Sequence, residues 1–457
     1  MISSISKSAE GTLALFVLLW ARVVLALIAG RFRFSFILVY PLAVVFGFFE
    51  GILTQSLLFV SLVVISSYPL VRVVLAFAFF IVVVVYVSAR LFKSKRYVAA
   101  YIFAIYALVI PSASILKLNI KTTLQPYIIK KCSHVSAKKL KKIFVYPDCL
   151  KTKHKDICRE LFERGSPYDV FYHAGTDKII LTGREIRSLL VFNGKGSLIG
   201  RIDTRGIPQF ITYDPVRDLI YVDSRGRGCV SAIDPYESKE IACLFKSLSM
   251  GGLGDKLLFQ KGCLLEDKDI LIYTMDNLPA IFAHDFTTDE DKLYPPEHFF
   301  LSFLYDVKCF GDKAVVSFAL HTPLLKQGIW ILDSNKGFKP ILKKRLLFPA
   351  FEMASSGNLL YVARPMQGKI DLFDATNLKL VNSYRAIRGV RTLALDEENG
   401  FIYAGSFSKG RVVKINLGTG KIEQSWDIGP AVRAVRYFEN AKRAFATSQC
   451  GLFELEN

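Results

Sequence analysis

At 457 residues, 52% of them hydrophobic and 22% charged, the chain is too long and too apolar for a small disulfide scaffold or a disordered segment. Its 59 Lys and Arg against 40 Asp and Glu give a formal charge of +19. The excess is uneven: residues 1–116 carry nine basic and two acidic side chains, residues 117–165 thirteen and four, and residues 166–457 thirty-seven and thirty-four. The charge therefore does not mark a basic globular domain. With thin aromatic interleaving and no recognition motif, no nucleic-acid partner is expected.

The first 116 residues read as a helical membrane anchor. Gly11–Gly30 is an apolar run broken only by Arg22, long enough at 1.5 Å per residue to cross a bilayer. A cleaved signal peptide fits poorly, because further apolar runs follow at once. Ser35–Pro69 is either one tilted helix or a tight hairpin turning near Glu50, while Leu70–Ser88 and Tyr97–Leu116 are clearer spans. The expectation is four or five transmembrane helices. Arg22, Arg72 and Glu50 each cost roughly 2.5–3.5 kcal/mol at a helix centre. Arg72 and Glu50 lie near helix ends, where snorkelling relieves that cost. Arg90, Lys93, Lys95 and Arg96 precede the last span, and a cytoplasmic place for them puts everything after Leu116 outside. Lys117, Lys121, Lys130 and Lys131 pull the other way.

Residues 117–165 read as a basic linker suited to anionic headgroups. Leu150–Arg164 has the pattern of a short amphipathic helix with Ile157, Leu161 and Phe162 on its apolar side.

From Ser166 the texture changes to short β-rich runs between Gly, Asp, Asn and Pro. One apolar strand recurs, beginning at Ile179, Leu219, Ile270, Ala314, Leu359, Phe401 and Ala444, at spacings of 40, 51, 44, 45, 42 and 43 residues. Several copies are followed by a strand ending in Asp or Asn, as at Asp234, Asp374 and Asn416. A repeat of this length holds about four short strands, the size of a propeller blade. A lone blade has two apolar faces, so copies must stack around an axis to bury them. Seven copies predict an all-β seven-bladed propeller over residues 166–457. The last copy has room for three strands only, and Lys142–Tyr146 is the candidate fourth, closing the ring.

Leu219-Ile220-Tyr221-Val222 with Val230 to Asp234, and Phe401-Ile402-Tyr403-Ala404 with Val412 to Lys421, resemble YVTN/NHL-type β-propeller repeats over roughly residues 166–457. The resemblance implies the fold and leaves the role open, since such propellers serve as binding platforms, lyases, hydrolases and scaffolds. No family resemblance is seen in the membrane region.

Asn416, Thr419, Gly420, Lys421 and Trp426 approximate one copy of a quinone-dehydrogenase docking motif, but a hairpin turn explains them more economically. The six His are scattered and no Cys-x-x-Cys occurs, so no metal site and no cofactor are expected. Asp223, Asp276 and Asn277 are candidate calcium ligands that turn duty explains equally well. No nucleotide or nucleophile-elbow fingerprint is present.

Loops entering the inner strand and loops leaving the second strand share one face of a propeller. Those loops hold Arg205, Arg225, Arg227, Arg364, Arg388, Arg391 and Arg433. Guanidinium forks around a channel mouth suit a carboxylate or phosphate. The competing reading is ordinary surface arginine paired with acidic neighbours.

Cys229 and Cys243 flank a predicted hairpin, where a register summing to 472 makes them direct cross-strand neighbours and a candidate disulfide. Cys132, Cys149 and Cys158 offer a second bridge, while Cys263, Cys309 and Cys450 are expected as free, buried thiols. Disulfides favour an oxidising compartment. The leading expectation is a bacterial inner-membrane protein with a periplasmic propeller. It acts as a binding or scaffold module for other membrane-complex subunits or an anionic ligand. The alternative is a propeller-type lyase or hydrolase acting on an envelope or membrane-proximal substrate.

Overall fold

In the computed structural model the chain divides into two units, Met1–Lys121 and Thr122–Asn457. The structure describes Cys132, Val135 and residues 139–225, 228–245, 259–275, 280–294, 303–319, 328–346 and 348–456, all in the second unit. Among these residues no helix is long and apolar enough to cross a membrane. The spans predicted within residues 1–116, with Arg22, Glu50 and Arg72, lie outside the described residues.

Seven four-stranded antiparallel sheets form a seven-bladed β-propeller. The innermost strands are Ser166–His173, Ile207–Asp214, Phe259–Leu265, Phe303–Phe310, Met353–Ser356, Val390–Asp396 and Ala434–Phe438. The recurrent apolar run is the second strand of each blade, and its continuity has a simple cause. Ile180 packs towards Ile220 and Val222 of blade 2, while Ile179 and Leu181 pack towards Phe445 and Leu452 of blade 7. Each second strand is sandwiched, so both of its faces must be apolar. The buried hydrophobic residues fall into seven clusters, one at each blade–blade interface.

Local chemistry sets the turns. The third strands end in Asp234, Asp285, Asp333 and Asp374, whose Oδ1 atoms accept backbone N–H groups two residues on. This Asx geometry reverses the chain without tertiary help. Between first and second strands, Asp177, Asp218 and Asp269 adopt left-handed φ of 48°, 53° and 56°, a conformation that Asp tolerates better than most residues.

The ring closes with an upstream strand. Leu140–Val145 pairs antiparallel with Gly451–Leu455 as the outer strand of blade 7. Trp426, fully buried in blade 6, donates its indole N–H to the Lys139 carbonyl at 2.9 Å and anchors the start of this strand. The helix Lys155–Arg164 buries Cys158 and Leu161 against blade 1, with Ile157 and Phe162 half-buried beside them.

All eight cysteines are paired: Cys132–Cys450, Cys149–Cys158, Cys229–Cys243 and Cys263–Cys309. This corrects the expectation of free thiols at Cys263, Cys309 and Cys450. Cys263 and Cys309 lie on neighbouring inner strands, which blade stacking brings together from 46 residues apart. The register expected for Cys229 and Cys243 is also corrected. Residues 235–238 form a four-residue turn and a bulge follows Ala232, so Cys243 faces Ser231 rather than Cys229.

Candidate functional site

The channel mouth is built at one level of the inner strands. Tyr168, Gln209, Gln260, Tyr305 and Arg391 each lie five residues before the end of their strand, and Phe351 and Arg433 hold the same place just ahead of strands Met353–Ser356 and Ala434–Phe438. Tyr168, Tyr305, Arg391 and Arg433 close into a ring of contacts with Phe210, Lys261 and Phe407. Phe210 meets Tyr168 edge-on at 5.0 Å between centroids, and the Arg433 guanidinium lies 5.3 Å from Tyr168 and 4.8 Å from Phe407. Arg391 lies 5.1 Å from the other side of this circuit at Phe407 and donates from Nε to the Tyr305 hydroxyl at 2.6 Å. Lys261 completes the circuit, 5.9 Å from the Tyr305 ring and 5.5 Å from Phe210. Aromatic faces carry negative quadrupole charge and hold the cations without neutralising them.

One residue deeper, Asp169, Lys261, Asp306 and Glu352 each lie four residues before their strand end. The Lys261 ammonium donates to Glu352 and lies 3.7 Å from Asp306. Arg436 bridges Glu352 at 2.8 Å and Asp169 at 3.0 Å. Burial alone raises the Glu352 carboxyl, but Arg436 and Lys261 outweigh it and hold the group well below the usual carboxylate range. Burial likewise lowers Lys261 and Arg436, and the facing carboxylates reverse that for both. The same carboxylates also stitch blades together, since Asp169, Asp306 and Glu352 accept the N–H groups of Ile211, Met353 and Leu393 in the following blades. Beyond this plug, towards the turns that join first and second strands, the channel holds a cavity of about 290 Å³ that includes Lys308, Ser355 and Tyr437 in its wall.

The seven predicted arginines part company. Arg391 and Arg433 come together at the mouth on either side of Phe407. Among the described residues neither has a carboxylate within ion-pairing distance, and Arg433 Nε is buried without a hydrogen-bond partner. Burial, reinforced by the nearby Arg391 and Arg184 cations, pushes Arg433 below its ordinary value despite the opposing Tyr168. Arg388 is exposed on the same face, and its carbonyl accepts from Ser406 and Ser408. Arg205 pairs with Glu240 at 2.8 Å. Arg364 is buried against Asp371 at 2.8 Å. The Arg225 side chain and all of Arg227 lie outside the described residues, as do Asp276 and Asn277.

Hydrogen bonds knit the mouth loops of blades 4 to 7 into one surface. Arg364 donates to the Phe348 carbonyl, Gly389 N–H to Pro365, Phe407 N–H to Gly389 and Ala431 N–H to Phe407. On the opposite face the turn aspartates receive cationic or polar groups from the preceding blade: Arg443 at Asp177, His173 at Asp218 and Arg217 at Asp269. This repetition makes His173 one of a series of blade-to-blade latches. Asp223 accepts the Gln209 and Phe210 N–H groups, and Asn416 accepts the N–H of Thr419 in its hairpin turn.

The Lys261–Glu352–Arg436–Asp169 network is what sequence reasoning missed. Its signal was a charged residue four positions before the end of an inner strand at Asp169, Lys261 and Glu352; Arg436, two before the end of its own, breaks that offset.

No protein-family profile matches this chain, and no curated protein matches it. Among solved structures it is similar to Kuenenia stuttgartiensis hydrazine synthase at 11% identity and TM-score 0.50, covering 62% of this chain and 92% of that one. It is similar to the WD40 β-propeller domain of Doa1 at 12% identity and TM-score 0.51, covering 64% and 92%. The β-propeller domain of Myceliophteria thermophila Cps50 (Swd1) gives 10% and 0.51, covering 64% and 95%. In all, 1327 solved chains match, which shows a widely shared architecture and no particular activity. The described part of the chain is thus a seven-bladed β-propeller closed by an upstream strand.

Proposed function

We propose that the chain is a membrane-anchored binding platform of the YVTN/NHL type that presents its propeller on the periplasmic side of a bacterial inner membrane. Its channel mouth recruits an anionic group of a ligand or of another membrane-complex subunit. The observation that carries this reading is the Arg391–Phe407–Arg433 arrangement, in which two half-buried guanidiniums face the mouth without carboxylate partners. Burial and neighbouring cations work against the charge on Arg433, and an incoming anion relieves that cost. The apolar runs of residues 1–116 support the anchor, and four disulfides support an oxidising compartment.

The test is calorimetric titration of the full chain in nanodiscs with succinate and with inorganic phosphate. Saturable binding that disappears in Arg391→Ala/Arg433→Ala supports the reading, and no binding by wild type removes it. Alkaline carbonate extraction tests the anchor, because a peripheral protein is released and a spanning one stays in the pellet. Proteolysis of right-side-out vesicles tests the orientation, since a periplasmic propeller is cut without lysis.

A further inference from the structure

We infer that the mouth recognises an extended peptide segment in which one acidic side chain has apolar ones two residues away on either side. This rests on the anion-binding reading above and adds the class of partner. The face around the two recessed arginines is not uniformly polar: Phe348 and Phe407 are each 37% exposed and Met366 is 67% exposed. They come from three consecutive blades whose loops are hydrogen-bonded to one another, so they border one continuous surface. Arg388 lies on that surface and, among the described residues, makes no ion pair, which leaves the apolar groups interleaved with uncompensated positive charge.

The depth of the cations decides between occupants. Arg391 and Arg433 are half-buried inside a ring of aromatic side chains, whereas Met366 and Arg388 stand exposed around them. A flat, anionic membrane surface reaches the rim and not the recess. A Glu or Asp side chain projects its carboxylate on a short stem, and its chain neighbours then lie over the rim. In an extended segment adjacent side chains point to opposite faces, so the residues two positions before and after the inserted acid share its face and set apolar side chains on the rim.

The experiment uses the full chain in nanodiscs and fluorescein-labelled, capped pentapeptides: Leu-Gly-Glu-Gly-Leu, Leu-Gly-Gln-Gly-Leu and Gly-Gly-Glu-Gly-Gly. The first is expected to bind at least about tenfold tighter than either of the others, because a charge-assisted hydrogen bond in a recessed site and two apolar contacts are each of that size. Arg433→Ala and Arg391→Ala are expected to abolish the Glu-over-Gln preference. Met366→Ser, on the exposed rim, is expected to weaken Leu-Gly-Glu-Gly-Leu about threefold while leaving succinate binding unchanged. If succinate binds but the leucines add nothing, the peptide inference fails and the anion site stands. If no anion binds, both fail. Equal binding of the Glu and Gln peptides also overturns the inference, as does displacement of the peptide by phosphatidylglycerol vesicles in preference to zwitterionic ones.

Discussion

Glu352→Gln tests whether the charged plug holds the propeller together. The carboxylate receives Lys261 of blade 3, Arg436 of blade 7 at 2.8 Å and the Leu393 N–H of blade 6 at 3.3 Å, and it is 2% exposed. The amide keeps the side-chain volume and an acceptor for Leu393, and its NH2 then faces Lys261 and Arg436, so the change removes the charge together with the acceptor those two cations share. Removing one partner of a buried pair costs about 3–5 kcal/mol when the other is left alone. Here Lys261 keeps Asp306 at 3.7 Å and Arg436 keeps Asp169 at 3.0 Å. The expected loss is therefore at the lower end, about 3 kcal/mol. Denaturant titration of the full chain in detergent, under non-reducing conditions and followed by Trp fluorescence, measures it. Glu398→Gln is the control, because its pair with Lys442 is solvent-exposed and is expected to change stability by less than about 1 kcal/mol. A loss below about 1 kcal/mol for Glu352→Gln refutes the reasoning. So does a double-mutant cycle with Lys261→Met that shows no coupling.

The same carboxylate predicts a pH dependence. Its folded pKa is depressed, so its contribution is complete above the unfolded Glu value of about 4.3 and is lost as pH falls towards the folded value; Glu352→Gln is expected to flatten the acid limb of a stability–pH profile. Cys450→Ser opens a bridge spanning 318 residues, and loop-closure entropy sets an upper bound of roughly 6 kcal/mol on the loss. Non-reducing peptide mapping that finds Cys132 joined elsewhere refutes that pairing. Gly429→Ala places a Cβ against the Cys450 sulfur at a φ of 86°, whereas Gly400→Ala at φ 68° meets open space. Thermal denaturation is expected to show about 1 kcal/mol lost at Gly400 and clearly more at Gly429, and equal losses refute the steric argument.

Much of the propeller is legible in the residues themselves because its determinants are local. The sandwiched second strand requires a continuous apolar run, and the Asx turns require Asp or Asn at the ends of third strands. Both recur at blade spacing, so the count of blades and the need for an upstream closing strand follow from one sequence. The face on which a loop emerges also follows from strand order, which is why Arg388, Arg391 and Arg433 are identifiable as mouth residues.

Arg364 meets Asp371 within one hairpin, but that Arg391 and Arg433 stay unneutralised is decided only by the closed ring. Arg205 and Arg364 meet Glu240 and Asp371, while Arg391 and Arg433 meet aromatic faces. The plug depends on contacts as distant as Arg436 to Asp169, 267 residues apart. The bridge between Cys263 and Cys309 likewise joins two blades. A repeat reports backbone conformation and the side of a strand that must be apolar. It carries no record of which charges meet across the axis, because that depends on strand register and on the angle through which seven blades turn.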